Sequence, residues 1–181
     1  QHDVSYYAMH TNYDVLGMAQ LAGDLFGLNS TEALEVTDVE SAEGIGRIGD
    51  LETTTTLKDC CKRVKDCFTL DAVKVFGDMD KKIKRVAISP GSGKSMLKAA
   101  IKKHVDVLIT GDIDHHEGID AVAQGISIID AGHYGLEHIF IQDMAAYLEQ
   151  YLENIKLIAA EEGYDTLDST CCTFQNQCTN D

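Results

Sequence analysis

Hydrophobic positions recur along the chain in two rhythms. From Asp14 to Gly27 they fall at Val15, Met18, Leu21, Ala22, Leu25 and Phe26, the one-sided stripe of an amphipathic helix, with Gly27 as its stop. The same period returns at Leu57, Cys60, Cys61, Val64, Cys67 and Phe68, where Thr55 or Thr56 can cap a helix over 57–68. Residues 32–37 and 45–51 read as strands around a loop at Glu40–Gly44, and Val73–Phe76 reads as a short strand closed by Gly77-Asp78. From residue 83 the rhythm becomes regular. Strands at Ile83–Ser89, Val105–Thr110 and Ile126–Ile129 alternate with helices at Met96–His104 and Asp114–Gln124, and a long helix runs from about Tyr134 past Leu152.

Alternation of strands and helices predicts an α/β fold built of β-α-β units, with a largely parallel sheet and helices on both faces. The strands from residue 83 are apolar without alternation, as a sheet covered on both sides requires. The organisation reads as a first α/β lobe with connecting strands over 1–82, a β-α-β lobe over 83–170 and a polar tail over 171–181. In such sheets ligands bind beyond the C-terminal strand ends. Three loops meet that description: Ser89–Ser95, Thr110–His116 and Asp130–His133.

Charge narrows the partners. With 15 basic and 30 acidic residues the net charge is −15, and such a surface repels nucleic-acid phosphates and anionic lipids. No apolar run approaches the roughly 18 residues that span a bilayer. The first residues, Gln1-His2-Asp3-Val4, carry no basic segment followed by an apolar one. The expectation is a cytoplasmic protein whose partners include neither nucleic acid nor membrane.

Six cysteines form two triplets of one spacing, Cys60, Cys61, Cys67 and Cys171, Cys172, Cys178. The first lies on the apolar stripe of a helix, so core packing accounts for it. The second lies in a polar tail without periodicity. Reduced thiols without zinc or a disulfide between the triplets are expected.

The glycine-rich segment Ser89-Pro90-Gly91-Ser92-Gly93-Lys94-Ser95 is not a P-loop, because the Walker pattern requires a glycine where Ile88 stands. It can still turn backbone N–H groups toward an anion, or simply pack helix on strand. Asp112, Asp114, His115, His116 and Glu117 crowd the next loop, where carboxylates and imidazoles could hold a cation or merely cap a helix. In Asp130-Ala131-Gly132-His133-Tyr134-Gly135-Leu136-Glu137, His133 and Glu137 stand four apart at a helix start, so one face presents an imidazole and a carboxylate that could bind one metal together or form an ordinary helix surface contact. Ahead of the first helix, Asp14 in His10-Thr11-Asn12-Tyr13-Asp14 suits a helix cap.

Taken in order, His10-Thr11-Asn12-x-Asp14, Gly44-x-Gly46-Arg47-x-Gly49, Val86-Ala87-x-x-x-Gly91-Ser92-Gly93, Asp106-Val107-x-Ile109-Thr110-Gly111-Asp112-Ile113 and Ile129-Asp130-Ala131-Gly132-His133-Tyr134-x-x-Glu137 resemble the Ngg-interacting-factor-like family, also known as GTP cyclohydrolase I type 2-like or YbgI-like proteins. The resemblance spans about residues 10–152. It implies an α/β fold, a dinuclear divalent-metal site and toroidal homo-oligomers assembled from dimers. The family's ligands map onto Asp14, His133 and Glu137. A further upstream His-His-Pro motif has no match, as in a family member without its N-terminal portion.

Two functions follow from that resemblance. One is a metal-dependent hydrolase, with zinc, manganese, iron or magnesium at Asp14, His133 and Glu137, and with Gly91–Gly93 and His116 lining the pocket. The other is a non-enzymatic metal-handling or interaction factor using the same ligands. Both require Asp14, His133 and Glu137 to converge, and the glycine loop to share their sheet edge.

Overall fold

A computed structural model describes residues 3–160. The N-terminal helical segment begins with α1 (Thr11–Tyr13), widens into a π-helical turn at Asp14–Met18 and continues as α2 (Ala19–Phe26). Gly27 ends it in the left-handed conformation at φ 78°, returning its N–H to the Asp24 carbonyl. A hairpin follows, β1 (Asn29–Asp38) and β2 (Glu43–Thr56), then α3 (Leu57–Phe68) and β3 (Lys74–Phe76). β4 (Lys82–Ser92) leads through a 3-10 turn at Gly93–Met96 into α4 (Leu97–Lys102). Then follow β5 (Val107–Gly111), α5 (His115–Ala123), β6 (Ser127–Asp130), α6 (His133–Glu137) and α7 (Phe140–Glu149).

The six strands of the described residues form one sheet in the order β1-β2-β4-β5-β6-β3. The α/β class stands, and the centre, β4-β5-β6, is parallel. The flanks differ from the expected largely parallel sheet: β1 with β2, β2 with β4, and β3 with β6 are antiparallel. Connection length explains the first of these, since residues 39–42 can join two strands only as a hairpin.

Successive side chains of a strand face opposite ways, so a continuous apolar strand serves two cores at once. Val86, Ile88, Val107, Ile109 and Ile129 enter a cluster with Phe26, Leu57, Val64, Phe68 and Leu136, under α2, α3 and α6. Their neighbours Ala87, Leu108 and Ile128 enter the opposite cluster with Met96, Ala100 and Ala121, under α4 and α5. The uninterrupted Val107-Leu108-Ile109 run is therefore the sequence mark of a strand sandwiched between helix layers.

The predicted long helix from Tyr134 is two helices. Where α6 ends, the His138 ring sits 3.0 Å from the Gly135 carbonyl and 3.3 Å from that of Tyr134, within reach of its last acceptors. Among the described residues no helix is long and apolar enough to cross a membrane.

In α3 the Thr56 hydroxyl accepts from the Asp59 N–H at 3.1 Å, and Cys60 and Cys61 are buried in the core. Cys60, Cys61 and Cys67 are free thiols; the second triplet lies outside the described residues. Burial pushes the Cys60 thiol up to about 12 and that of Cys61 up to about 11. Because the thiolate is the nucleophile, iodoacetamide applied to the native protein at about pH 8 should label half-buried Cys67 well before Cys60 and Cys61. Peptide mapping by mass spectrometry checks this, and equal labelling of all three would contradict the packing.

Candidate functional site

Three segments meet at the C-terminal ends of β4, β5 and β6, and glycines permit the approach. At Gly111 an added Cβ would lie 2.6 Å from the Gly132 carbonyl carbon and the His133 nitrogen, and 2.9 Å from the Gly91 carbonyl oxygen. At Gly91, with φ 77°, it would lie 2.7 Å from Glu137 Oε1 and 3.5 Å from His133 Nε2. The glycine loop thus passes directly over His133 and Glu137, on their edge of the sheet. Thr110 braces its start, the hydroxyl donating to the Ser89 carbonyl at 2.7 Å.

Asp130 organises the same edge from beneath. Its buried carboxylate accepts from the Gly132 and Ile113 N–H groups, each at 3.1 Å, and pairs with Lys74 at 2.8 Å. The turn ahead of His133 and the turn after β5 are therefore tied to one side chain.

His133 opens α6 behind Gly132, and Glu137 closes it one turn later. The ring is held from both sides: Nδ1 lies 2.9 Å from Asp112 Oδ2 and Nε2 lies 3.2 Å from Glu137 Oε2. A carboxylate accepts, so Nδ1 donates to Asp112; in the neutral ring this leaves Nε2 bare toward Glu137, and in the protonated ring Nε2 donates to Glu137 as well. The Asp112 hydrogen bond, followed by the negative charges of Glu137, Asp112 and Asp14, raises the His133 pKa above its ordinary value. Burial is the main reason the Glu137 carboxyl is raised; the Asp14 charge adds to it, and His133 and His10 oppose it.

Asp14 begins the π-helical turn, a distortion found often at functional sites. It lines a small cleft with Ser89 and Pro90 at the head of the glycine loop. Its charge acts on both His133 and Glu137. The neighbouring Tyr13 fixes that turn to α7, its hydroxyl donating to Asp143 at 2.7 Å. Among the described residues, however, no group of three His, Cys, Asp or Glu side chains is arranged to hold a metal ion as it stands. His133 and Glu137 are a close pair, with Asp14 acting on both through charge and His10 on Glu137.

The remaining candidates have other work. Asp114 caps α5 in a reciprocal box, accepting from the Glu117 N–H at 2.9 Å while Glu117 accepts from the Asp114 N–H at 3.1 Å. Lys94 pairs with Glu117, fastening the glycine loop to α5. His116, expected along the pocket, is exposed and stands edge to face with His115, ring centres 5.8 Å apart. Asp112 and His10 acquire site roles that spacing alone did not reveal. Asp112 stands 21 residues from His133 in sequence, and only the parallel pairing of β5 with β6 brings them together.

The fold and this edge define an α/β protein with an imidazole–carboxylate cluster at the C-terminal ends of its parallel strands. The chain belongs to the Duf34/NIF3 (NGG1p interacting factor 3) family, whose profile matches residues 1–163. It is 38% identical over 160 residues to a GTP cyclohydrolase 1 type 2 homolog of Streptococcus pneumoniae, covering 85% of this chain and 59% of that protein. A protein of the same name from Clostridium acetobutylicum is 35% identical over 156 residues, covering 84% and 58%. The chain thus spans less than two thirds of the length of these relatives. A Staphylococcus aureus hypothetical protein of known structure superposes with a TM-score of 0.82 at 25% identity, over 92% of this chain and 69% of that one.

Proposed function

We propose that this chain binds a divalent metal ion through His133, Glu137 and Asp14, as part of a hydrolase-like site. The observation that carries the reading is the orientation of His133: Asp112 holds Nδ1 at 2.9 Å, and Nε2 faces Glu137 at 3.2 Å. A carboxylate behind a ligating imidazole fixes its tautomer and strengthens it as a donor. One imidazole nitrogen and two carboxylates suit zinc, manganese, iron or magnesium. The donor chemistry fits such an ion, and separating Nε2 from Glu137 would open the position between them. Protein donors are few, so water or an anion would fill the remaining positions.

A bound divalent ion would supply a water of lowered pKa or polarise a phosphoryl or carbonyl oxygen. The chain's own residues do the rest. Asp112 holds the Nδ1 proton, Gly91 leaves room above Glu137, and Asp130 keeps the His133 turn in place. The name carried by the relatives makes GTP the first substrate to test. We further propose homo-oligomers of dimers, as the family resemblance implies.

Calorimetric titration with manganese tests the ligand assignment. Glu137→Ala should weaken binding by at least about tenfold, the scale on which even outer-sphere partners matter. Affinity unchanged by Glu137→Ala would place the ion elsewhere, with His115 and His116 next in line. Turnover of GTP by the metal-loaded protein then separates a hydrolase from a metal-handling factor.

A further inference from the structure

The edge strand β1 borders a groove of about 510 Å³, a volume within the range of ligand sites, roughly 300–1,000 Å³. One wall is Leu34, Glu35 and Val36 of β1; the other is Ser95, Lys98, Ala99, Lys102 and Lys103 beside α4. Two features of this groove have no part in the His133 site.

The first is backbone. β1 is ten residues long and stands at the end of the strand order, so among the described residues it has a strand partner on one side only. Unpaired N–H and C=O groups of an edge template a further strand. The Lys103 ammonium already donates to the Ala33 carbonyl at 2.8 Å. Val36 is 47% exposed beside buried Leu34, leaving an apolar position open on the groove wall.

The second is charge. Three lysines and one glutamate line the groove, in a chain whose basic residues are half as numerous as its acidic ones. Lys103 reaches Glu32 at 3.3 Å. Among the described residues no ion pair engages Lys98 or Lys102, which stand four apart on one helix face, where like charges repel. Screening confines charge effects to about 8 Å at physiological salt, so the lysines set the potential here despite the acidic whole.

We propose that the groove between β1 and α4 docks an extended acidic segment of a partner protein, which adds as a strand to β1 and sets its carboxylates against Lys98 and Lys102. Strand addition supplies main-chain hydrogen bonds, and the groove side chains supply selectivity. A free edge and a helix as opposite walls fit an extended chain better than a compact ligand.

Fluorescence anisotropy with a labelled Glu-Val-Glu-Val-Glu-Val peptide tests this on the intact chain. The peptide should bind, bind less as salt rises, and lose more than about tenfold in affinity to Lys98→Glu/Lys102→Glu, whose exposed positions leave the fold intact. The same peptide N-methylated at alternate residues should fail to bind, and hydrogen exchange should slow at the amides of residues 34–36 when the unmodified peptide is added. Equal binding of the N-methylated peptide, or indifference to the lysine reversals, overturns the proposal. Displacement by inorganic tripolyphosphate with no slowing at β1 would make the groove a small-anion site and also overturn it. So would a dimer in sedimentation whose β1 amides are protected without peptide, since a second copy would then occupy the edge.

Discussion

Replacing Gly111 by alanine should destabilise the protein by about 2–3 kcal/mol, the usual scale of overpacking in a filled interior. The methyl group would meet backbone on two sides, the Gly132–His133 peptide at 2.6 Å and the Gly91 carbonyl at 2.9 Å. Neither is the end of a flexible side chain, so relief requires the end of β4 and the turn after β6 to separate. That movement would also lift Gly91 from Glu137, and metal affinity should fall together with stability. Urea unfolding followed by circular dichroism measures the first effect. A midpoint equal to the parent's would mean that the three loops are less closely seated than described.

Asp130→Ala should cost about 2–3 kcal/mol through the two N–H groups it leaves without acceptors. Both are backbone groups of the site edge, Ile113 and Gly132, each bonded at 3.1 Å, and Lys74 loses its ion pair while keeping the Ile113 carbonyl. Asp130→Asn keeps one acceptor oxygen and should recover roughly half of the loss. An alanine variant as stable as the parent would show that water replaces the carboxylate at that turn.

Much of the fold was legible because burial writes itself into residue order. The 57–68 helix was marked by its apolar stripe and its threonine cap, and it spans those residues. The apolar runs ending at Thr110 and Ile129 became β5 and β6 within a residue or two. What escaped depends on contacts between distant segments. No local signal sets β3 antiparallel against β6 at the far edge. Nor does a helical pattern reveal that α6 ends where His138 turns onto the Gly135 carbonyl. β4 continues to Ser92 through a segment that reads as a turn, because Ser92 pairs with Gly111 of β5.

The site divides in the same way. The His133–Glu137 pair was legible because one helical turn separates the two, and helix geometry dictates their proximity. The holding of His133 by Asp112 was not, because strand pairing alone makes that contact. In sequence His10 is marked only by the family motif it heads, yet it opposes the rise of the Glu137 pKa. The crowded segment Asp112 to Glu117 offered several ligand types, and the structure divides them between Asp112 at the site and the Asp114–Glu117 cap of α5.

In the proposed site a divalent ion would take Nε2 of His133 while Asp112 holds the proton on Nδ1. Long-range nitrogen–proton NMR of the imidazole rings, recorded during titration with zinc, observes that event directly. The Nε2 resonance of His133 should move to a metal-bound position while its Nδ1–H persists, and Asp112→Asn should weaken the change by about tenfold or more. A His133 ring that stays unchanged while His115 or His116 shifts would contradict it.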